Sequence, residues 1–161
     1  LAAKKKHKTY QKHTATVPLT AQEKVSRYMR GNKSGNTRPE LLLRQRLWQA
    51  GLRGYRVHWP KAPGKPDICY PGRKLAVFVH GCFWHRCPYC LPALPKTNVP
   101  FWQNKFERNM ARDAAYKIMY REAGWTCLTI WECQLYADTE GCLTLIRELH
   151  QGVPASWEIA A

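Results

Sequence analysis

Leu75-Ala-Val-Phe-Val79 is an unbroken apolar run that ends against His80, and an apolar run without polar alternation reads as a strand buried on both faces. Such a strand sits inside a sheet and needs packed layers on either side. With helices before, between and after the strands, it points to a three-layer α/β or α+β domain.

The rest of the chain supplies the layers. Thr20-Ala-Gln-Glu23 and Thr37-Arg-Pro-Glu40 both have the Thr-x-x-Glu spacing of a capping box, so a helix is predicted to begin at each, with a loop over 31–36 between them. The second helix carries Leu41, Leu42, Leu43, Leu47 and Trp48 and stops at Gly51. Asp67-Ile-Cys-Tyr70 reads as a strand joined to the central one by a Pro71-Gly72 turn. From Phe101 to Ala123 the spacing of Trp102, Phe106, Met110, Ala114 and Ile118 predicts a long helix ending at Gly124. Trp125 to Trp131 alternates into another buried strand, and a last short helix is expected over about Thr139 to Leu149. The fold class expected is α/β around a central mixed sheet.

With 161 residues the chain is one domain's worth, and no apolar run approaches the roughly 20 residues of a membrane-spanning helix. An intracellular protein without a membrane partner is expected. An opening Leu1 in place of an initiator Met points to a fragment. The net charge of +15 is costly self-repulsion unless it faces a polyanion, which makes nucleic acid the natural partner. Residues 1–19 read as a flexible basic arm, with a solvated tail as the plain alternative; 20–150 form the domain and 151–161 a tail.

Cys82, Cys87 and Cys90 fall in an irregular, Pro-rich segment, and Cys133 follows the last strand. Four thiolates at that spacing can close a tetrahedral structural Zn²⁺ site. Cys87-Pro-Tyr-Cys90 also has the C-x-x-C form of a redox site, but Pro92 and Pro95 stand where the helix required by that chemistry would continue. Unligated core cysteines remain the alternative, and Cys69, Cys127 and Cys142 are read that way. Asp67 opens one strand and His80 closes its neighbour, with His85 five residues on. A carboxylate with two histidines at strand ends suits metal-assisted phosphodiester hydrolysis, because Mg²⁺ prefers oxygen ligands and imidazole takes a proton near neutral pH.

Gly64-Lys-Pro-Asp67, Val77-Phe-Val-His-Gly-Cys-Phe-Trp-His85, Pro95-Lys-Thr-Asn98, Phe101-Trp102 with Asn109 and Arg112-Asp113, and Trp131-Glu-Cys133 together resemble the very-short-patch-repair (Vsr) DNA mismatch endonucleases, over about Val25 to Leu135. The resemblance implies a restriction-endonuclease-like fold and a Mg²⁺-dependent nick in one strand of duplex DNA beside a T:G mismatch. By the same resemblance Asp67 and the carbonyl of Val79 are ligands of Mg²⁺. His85 is the general base, oriented by Asp113, and His80 supports the scissile phosphate or the water. Glu40 corresponds to a carboxylate near the metal-bound waters, against the plainer reading of a capping-box residue. Phe83, Trp84 and Trp102 correspond to an aromatic wedge that unstacks DNA at the mismatch, where a mispaired step opens at lower cost. Core packing is the other reading of Phe83 and Trp84. Asn109 is placed against the site from the long helix.

The sequence also departs from that pattern. The strand after Asp67 lacks the acidic residue and lysine common in the wider nuclease superfamily, Val79 stands where Thr is frequent, and Cys87 takes the place of a zinc-binding His, with Cys90 displaced by one residue. Thiolate is at least as good a Zn²⁺ ligand. The leading expectation is a monomeric mismatch endonuclease acting with mismatch-repair proteins. Its rivals are a restriction or homing nuclease that cuts matched DNA and a non-catalytic zinc-bearing DNA-binding module.

Overall fold

The computed structural model describes Thr20, Glu23 and residues 35–152. The basic arm, most of the helix expected from Thr20, and the chain after Gly152 lie outside these residues. Within residues 1–32, the Thr20–Glu23 capping box is formed: the Thr20 amide and hydroxyl both donate to Glu23 Oε2, at 2.8 and 2.9 Å, and the Glu23 amide donates to Thr20 Oγ1 at 3.2 Å.

In the larger unit the order is α1 (Arg38–Gln49), β1 (Ile68–Tyr70), β2 (Leu75–His80), α2 (Val99–Glu122), β3 (Thr126–Trp131), α3 (Glu132–Ala137) and α4 (Thr139–Gln151). The sheet order is β1-β2-β3, with β1 antiparallel and β3 parallel to the central β2, so the sheet is mixed. A single 3-10 turn, Pro71–Arg73, followed by Lys74 at φ +49°, closes the β1–β2 hairpin and sets the register Ile68↔Val77. A parallel partner cannot be reached by a hairpin, and α2 makes the crossover from β2 to β3.

Alternation along the strands divides the interior in two. Ile68, Tyr70, Leu75, Val77, Val79, Leu128 and Ile130 pack with Leu43 and Leu47 of α1 and with Leu143, Ile146 and Leu149 of α4. Cys69 and Ala76 face the other way, with Phe78 and Cys127, onto Tyr116 and Tyr120 of α2. Leu43 and Leu47 are wholly buried, each contributing about 1.5–3 kcal/mol. Leu41 and Trp48, read with them from the leucine-rich run, are instead 50% and 56% exposed. Arg53 lies over the Trp48 ring, 4.3 Å from its centroid.

Two features differ from the sequence reading. The buried or half-buried face of α2 runs Trp102, Phe106, Asn109, Asp113, Tyr116, Tyr120, whereas Met110 and Ile118 are 43% and 47% exposed. A strict i+4 series precesses by about 40° per step, so from Trp102 to Ile118 it turns about 160° away from the sheet. Alternating steps of four and three stay on one face, and here that face carries polar residues. The short helix α3, not anticipated, starts directly at the end of β3 and brings Cys133 back towards the irregular loop, with Leu135 fully buried beneath it. Among the described residues no helix is long and apolar enough to cross a membrane.

Candidate active site

Strands β2 and β3 end in register at His80↔Trp131, and the candidate functional groups gather at this carboxyl end of the parallel pair. They form two clusters meeting at the Val79–His80 step.

The first cluster joins α1, the loop before β1, and β2. Asp67 Oδ2 accepts the Val79 amide at 2.8 Å, so the strand-opening carboxylate lies alongside the strand-closing backbone. Burial pushes the Asp67 carboxyl up to about 6; the Val79 amide opposes this, the Glu40 charge adds to it, and His58 and Arg44 oppose it. Glu40, 4% exposed, accepts from the Asn36 amide at 2.8 Å, the Thr37 hydroxyl at 2.7 Å and Arg44 Nη2 at 2.7 Å. It therefore caps α1 and also faces inward: His58 Nε2 lies 3.5 Å from Glu40 Oε2, and His58 Nδ1 lies 3.7 Å from Asp67 Oδ1. Glu40, His58 and Asp67 each offer a ligand atom within 4.8 Å of the others.

The second cluster joins β2, the loop after it, and α2. His85 Nδ1 and Asp113 Oδ2 form a hydrogen bond, and His80 Nδ1 is 4.0 Å from the same oxygen. Burial, followed by the neighbouring His85, lowers His80 to about 3 against the pull of Asp113, with Lys117 and Arg112 acting in the same direction as burial. Burial opposes ionisation of Asp113, but the His85 hydrogen bond, the neighbouring His85 and His80 rings and the Arg112 charge together hold its carboxyl below the usual range. The His85 Nδ1–Asp113 contact leaves Nε2 as the ring's other functional atom. No direct contact joins Asp67 to His80. What links them is the backbone: the Val79 amide that Asp67 accepts belongs to the residue just before His80.

Asn109, 6% exposed, donates from Nδ2 to the Trp84 carbonyl at 2.9 Å, tying α2 to the loop that carries His85. Above this tie Phe83 touches three rings edge-on: Trp84, Trp102 and Phe106, at centroid distances of 5.1, 5.4 and 5.2 Å. Phe106 is buried, whereas Phe83, Trp84 and Trp102 are each only partly buried, so the cluster has a packed base and a partly open rim.

Beyond the rim, Cys82, Cys87, Cys90 and Cys133 bring their sulfurs within 4.8 Å of one another, with Cys87 and Cys133 Sγ 3.6 Å apart. Four thiolates around Zn²⁺ at about 2.3 Å would stand about 3.8 Å from one another, so the donor set and its spread fit that ion. The Cys133 amide donates to Cys82 Sγ at 3.4 Å. Burial opposes the Cys87 thiolate, but hydrogen bonds from the Cys90 and Tyr89 amides lower its pKa. No helix follows Cys87 before Val99, so the C-x-x-C lacks the helix start that a redox thiol uses.

Sequence reasoning missed His58 and Arg44. Arg44 was detectable as the i+4 partner of Glu40. His58 stands in a loop with no periodic pattern.

Residues 19–90 match the family model described as DNA mismatch endonuclease Vsr. Similar curated proteins include the type II nicking enzyme V.XorIIP of Xanthomonas oryzae pv. oryzae, 42% identical over 103 residues that span 64% of this chain and 75% of that protein. The type II nicking enzyme V.NaeI of Lentzea aerocolonigenes is 35% identical over 90% of both chains. DNA mismatch endonuclease Vsr of Escherichia coli is 36% identical over 68% of this chain and 70% of its own length.

Proposed function

This chain belongs to the Vsr family of DNA mismatch endonucleases and is a DNA endonuclease, and from that premise we propose that it is a Mg²⁺-dependent, strand-specific enzyme that nicks duplex DNA 5′ of the T of a T:G mismatch. The observation that carries the reading is the Val79–His80 step, with a carboxylate bound to its amide on one side and a His–His–Asp cluster on the other. Asp67 Oδ1 and the Val79 carbonyl would hold Mg²⁺, with Glu40 beside its waters. Bound there, the ion would supply charge neutralisation and Lewis-acid polarisation of the scissile phosphate.

The protein's own groups do the rest. His85, with Nδ1 engaged by Asp113, is aligned to take a proton from the attacking water at Nε2. His80, kept neutral by burial, contributes a hydrogen bond to phosphate or water without adding charge. Phe83, Trp84 and Trp102 form a wedge whose buried base at Phe106 keeps it rigid while the open rim enters the unstacked step. The excess of Lys and Arg holds the backbone, and a structural Zn²⁺ on the four cysteines ties the wedge loop to α3 in a restriction-endonuclease-like frame.

The test is a denaturing-gel assay on two duplexes of one sequence, one with a central T:G pair and one fully paired, with Mg²⁺ or EDTA and with randomised flanks. Cutting of the T strand alone, in the mismatched duplex and only with Mg²⁺, is the expected result. Equal cutting of paired DNA would instead indicate a restriction or homing nuclease, and binding without cutting a zinc-bearing DNA-binding module.

A further inference from the structure

Resting on the metal reading of Asp67, we infer that His58 is a positioning residue of the cleavage centre, a ring held between Glu40 and Asp67 that keeps Asp67 Oδ1 available for a divalent cation. Three observations converge on it. His58 has a left-handed backbone, φ +46°, which sets the direction in which its ring leaves the loop. A Cβ on Gly35 would come within 2.9 Å of His58 Nε2, so the absence of a side chain there makes room for the ring. Arg44 Nη2 lies 3.2 Å from Nε2 while it also donates to Glu40 Oε2.

The Arg44 contact defines the ring's role. A guanidinium has only donors, so Nε2 accepts from it and the neutral ring carries its hydrogen on Nδ1, the edge that faces Asp67. That nitrogen is 3.7 Å from Oδ1, too far to occupy it with a direct hydrogen bond, while the other oxygen, Oδ2, is occupied by the Val79 amide. Asp67 is thereby fixed at Oδ2 by the Val79 amide, with the His58 ring beside an Oδ1 that no direct hydrogen bond occupies. Because Nε2 is engaged by Arg44, and Mg²⁺ prefers oxygen, His58 acts through Asp67 rather than as a ligand.

The test uses the full chain and Mn²⁺, read by loss of the free-ion electron paramagnetic resonance signal, beside the Mg²⁺ half-saturation for nicking. Asp67→Asn defines the site. Relative to wild type, His58→Leu is expected to weaken Asp67-dependent Mn²⁺ binding and raise the Mg²⁺ requirement by about tenfold or more, with DNA affinity unchanged; His58→Gln, which still donates and accepts, should recover most of both. Gly35→Ala leaves the His58 side chain intact but crowds it, so it should shift both readouts the same way and decides the matter if His58→Leu does not fold. Asp67-dependent Mn²⁺ binding that neither His58→Leu nor Gly35→Ala alters would overturn this inference alone. A wild-type protein with no Asp67-dependent Mn²⁺ binding would overturn the metal reading, and this inference with it.

Discussion

The imidazole rings of His80 and His85 stack with centroids 3.9 Å apart and planes 13° from parallel, and one carboxylate oxygen of Asp113 faces the Nδ1 atoms of both. Two positive charges in such a stack would repel at close range, and His80, the more buried, is the ring held neutral.

That neutrality has a pH signature. The folded-state value of about 3 lies below the ordinary 6.5, so between the two the unfolded chain binds the extra proton. Stability is then unaffected by His80 above pH 6.5 and falls as the pH drops towards 3, by up to about 1.4 kcal/mol per unit. In urea titrations at pH 7, 5.5 and 4.5, His80→Asn should lose less stability on acidification than wild type. Parallel curves for the two proteins would show that His80 is not held neutral.

Asp67 has the opposite sign. Its carboxyl is raised from 3.8 to about 6, so the relative stability it contributes is present below pH 3.8 and is lost as the pH rises through 6. At neutral pH and without metal, a partly buried carboxylate lies near the Glu40 charge. Asp67→Asn, whose amide oxygen can still accept the Val79 N–H, should abolish nicking yet stabilise the metal-free protein at pH 7.5 by about 1–3 kcal/mol. Denaturation without added Mg²⁺ reads the second effect; a variant no more stable than wild type would remove the burial argument, and one that still nicked would remove Asp67 from the mechanism.

The sheet was legible because its signals are local: an apolar run with no alternation, a Pro-Gly turn, and a capping box whose Thr37 and Glu40 are hydrogen-bonded to each other. The polar face of α2 was not, since Asn109 and Asp113 interrupt an apolar pattern in order to reach the Trp84 carbonyl and His85, and periodicity read from apolar residues passes over such positions. The four cysteines could be grouped from spacing, whereas α3, a short helix that turns Cys133 back to them, carries too few residues to show a period. His58 escaped for a further reason: its place depends on Gly35, Arg44 and Asp67, which meet only in three dimensions.

The cysteine cluster ties stability to a metal. The described part of the loop after His80 contains no helix or strand before Val99, so the sulfurs are what tie Cys82, Cys87 and Cys90 to Cys133. Purified protein should carry one zinc per chain, and Cys133→Ser should lose it and lower the melting temperature by at least ~5 °C, because metal binding is folding free energy. Elemental analysis that finds no zinc in the wild type would reduce the cluster to core thiols.

The aromatic cluster separates recognition from packing within a single contact set. Phe106 is 3% exposed at its base, and Phe106→Ala should cost about 3–5 kcal/mol of stability whatever the DNA. Trp84 is partly buried at the rim and touches Phe83 and Trp102. Trp84→Ala should therefore be milder for folding and reduce the preference for T:G over paired duplex by about tenfold, with the salt dependence of binding unchanged because no phosphate contact is removed. Competition binding on the two duplexes over a salt series measures both quantities. Equal loss of affinity for mismatched and paired DNA would make Trp84 a packing residue and leave mismatch recognition to other groups.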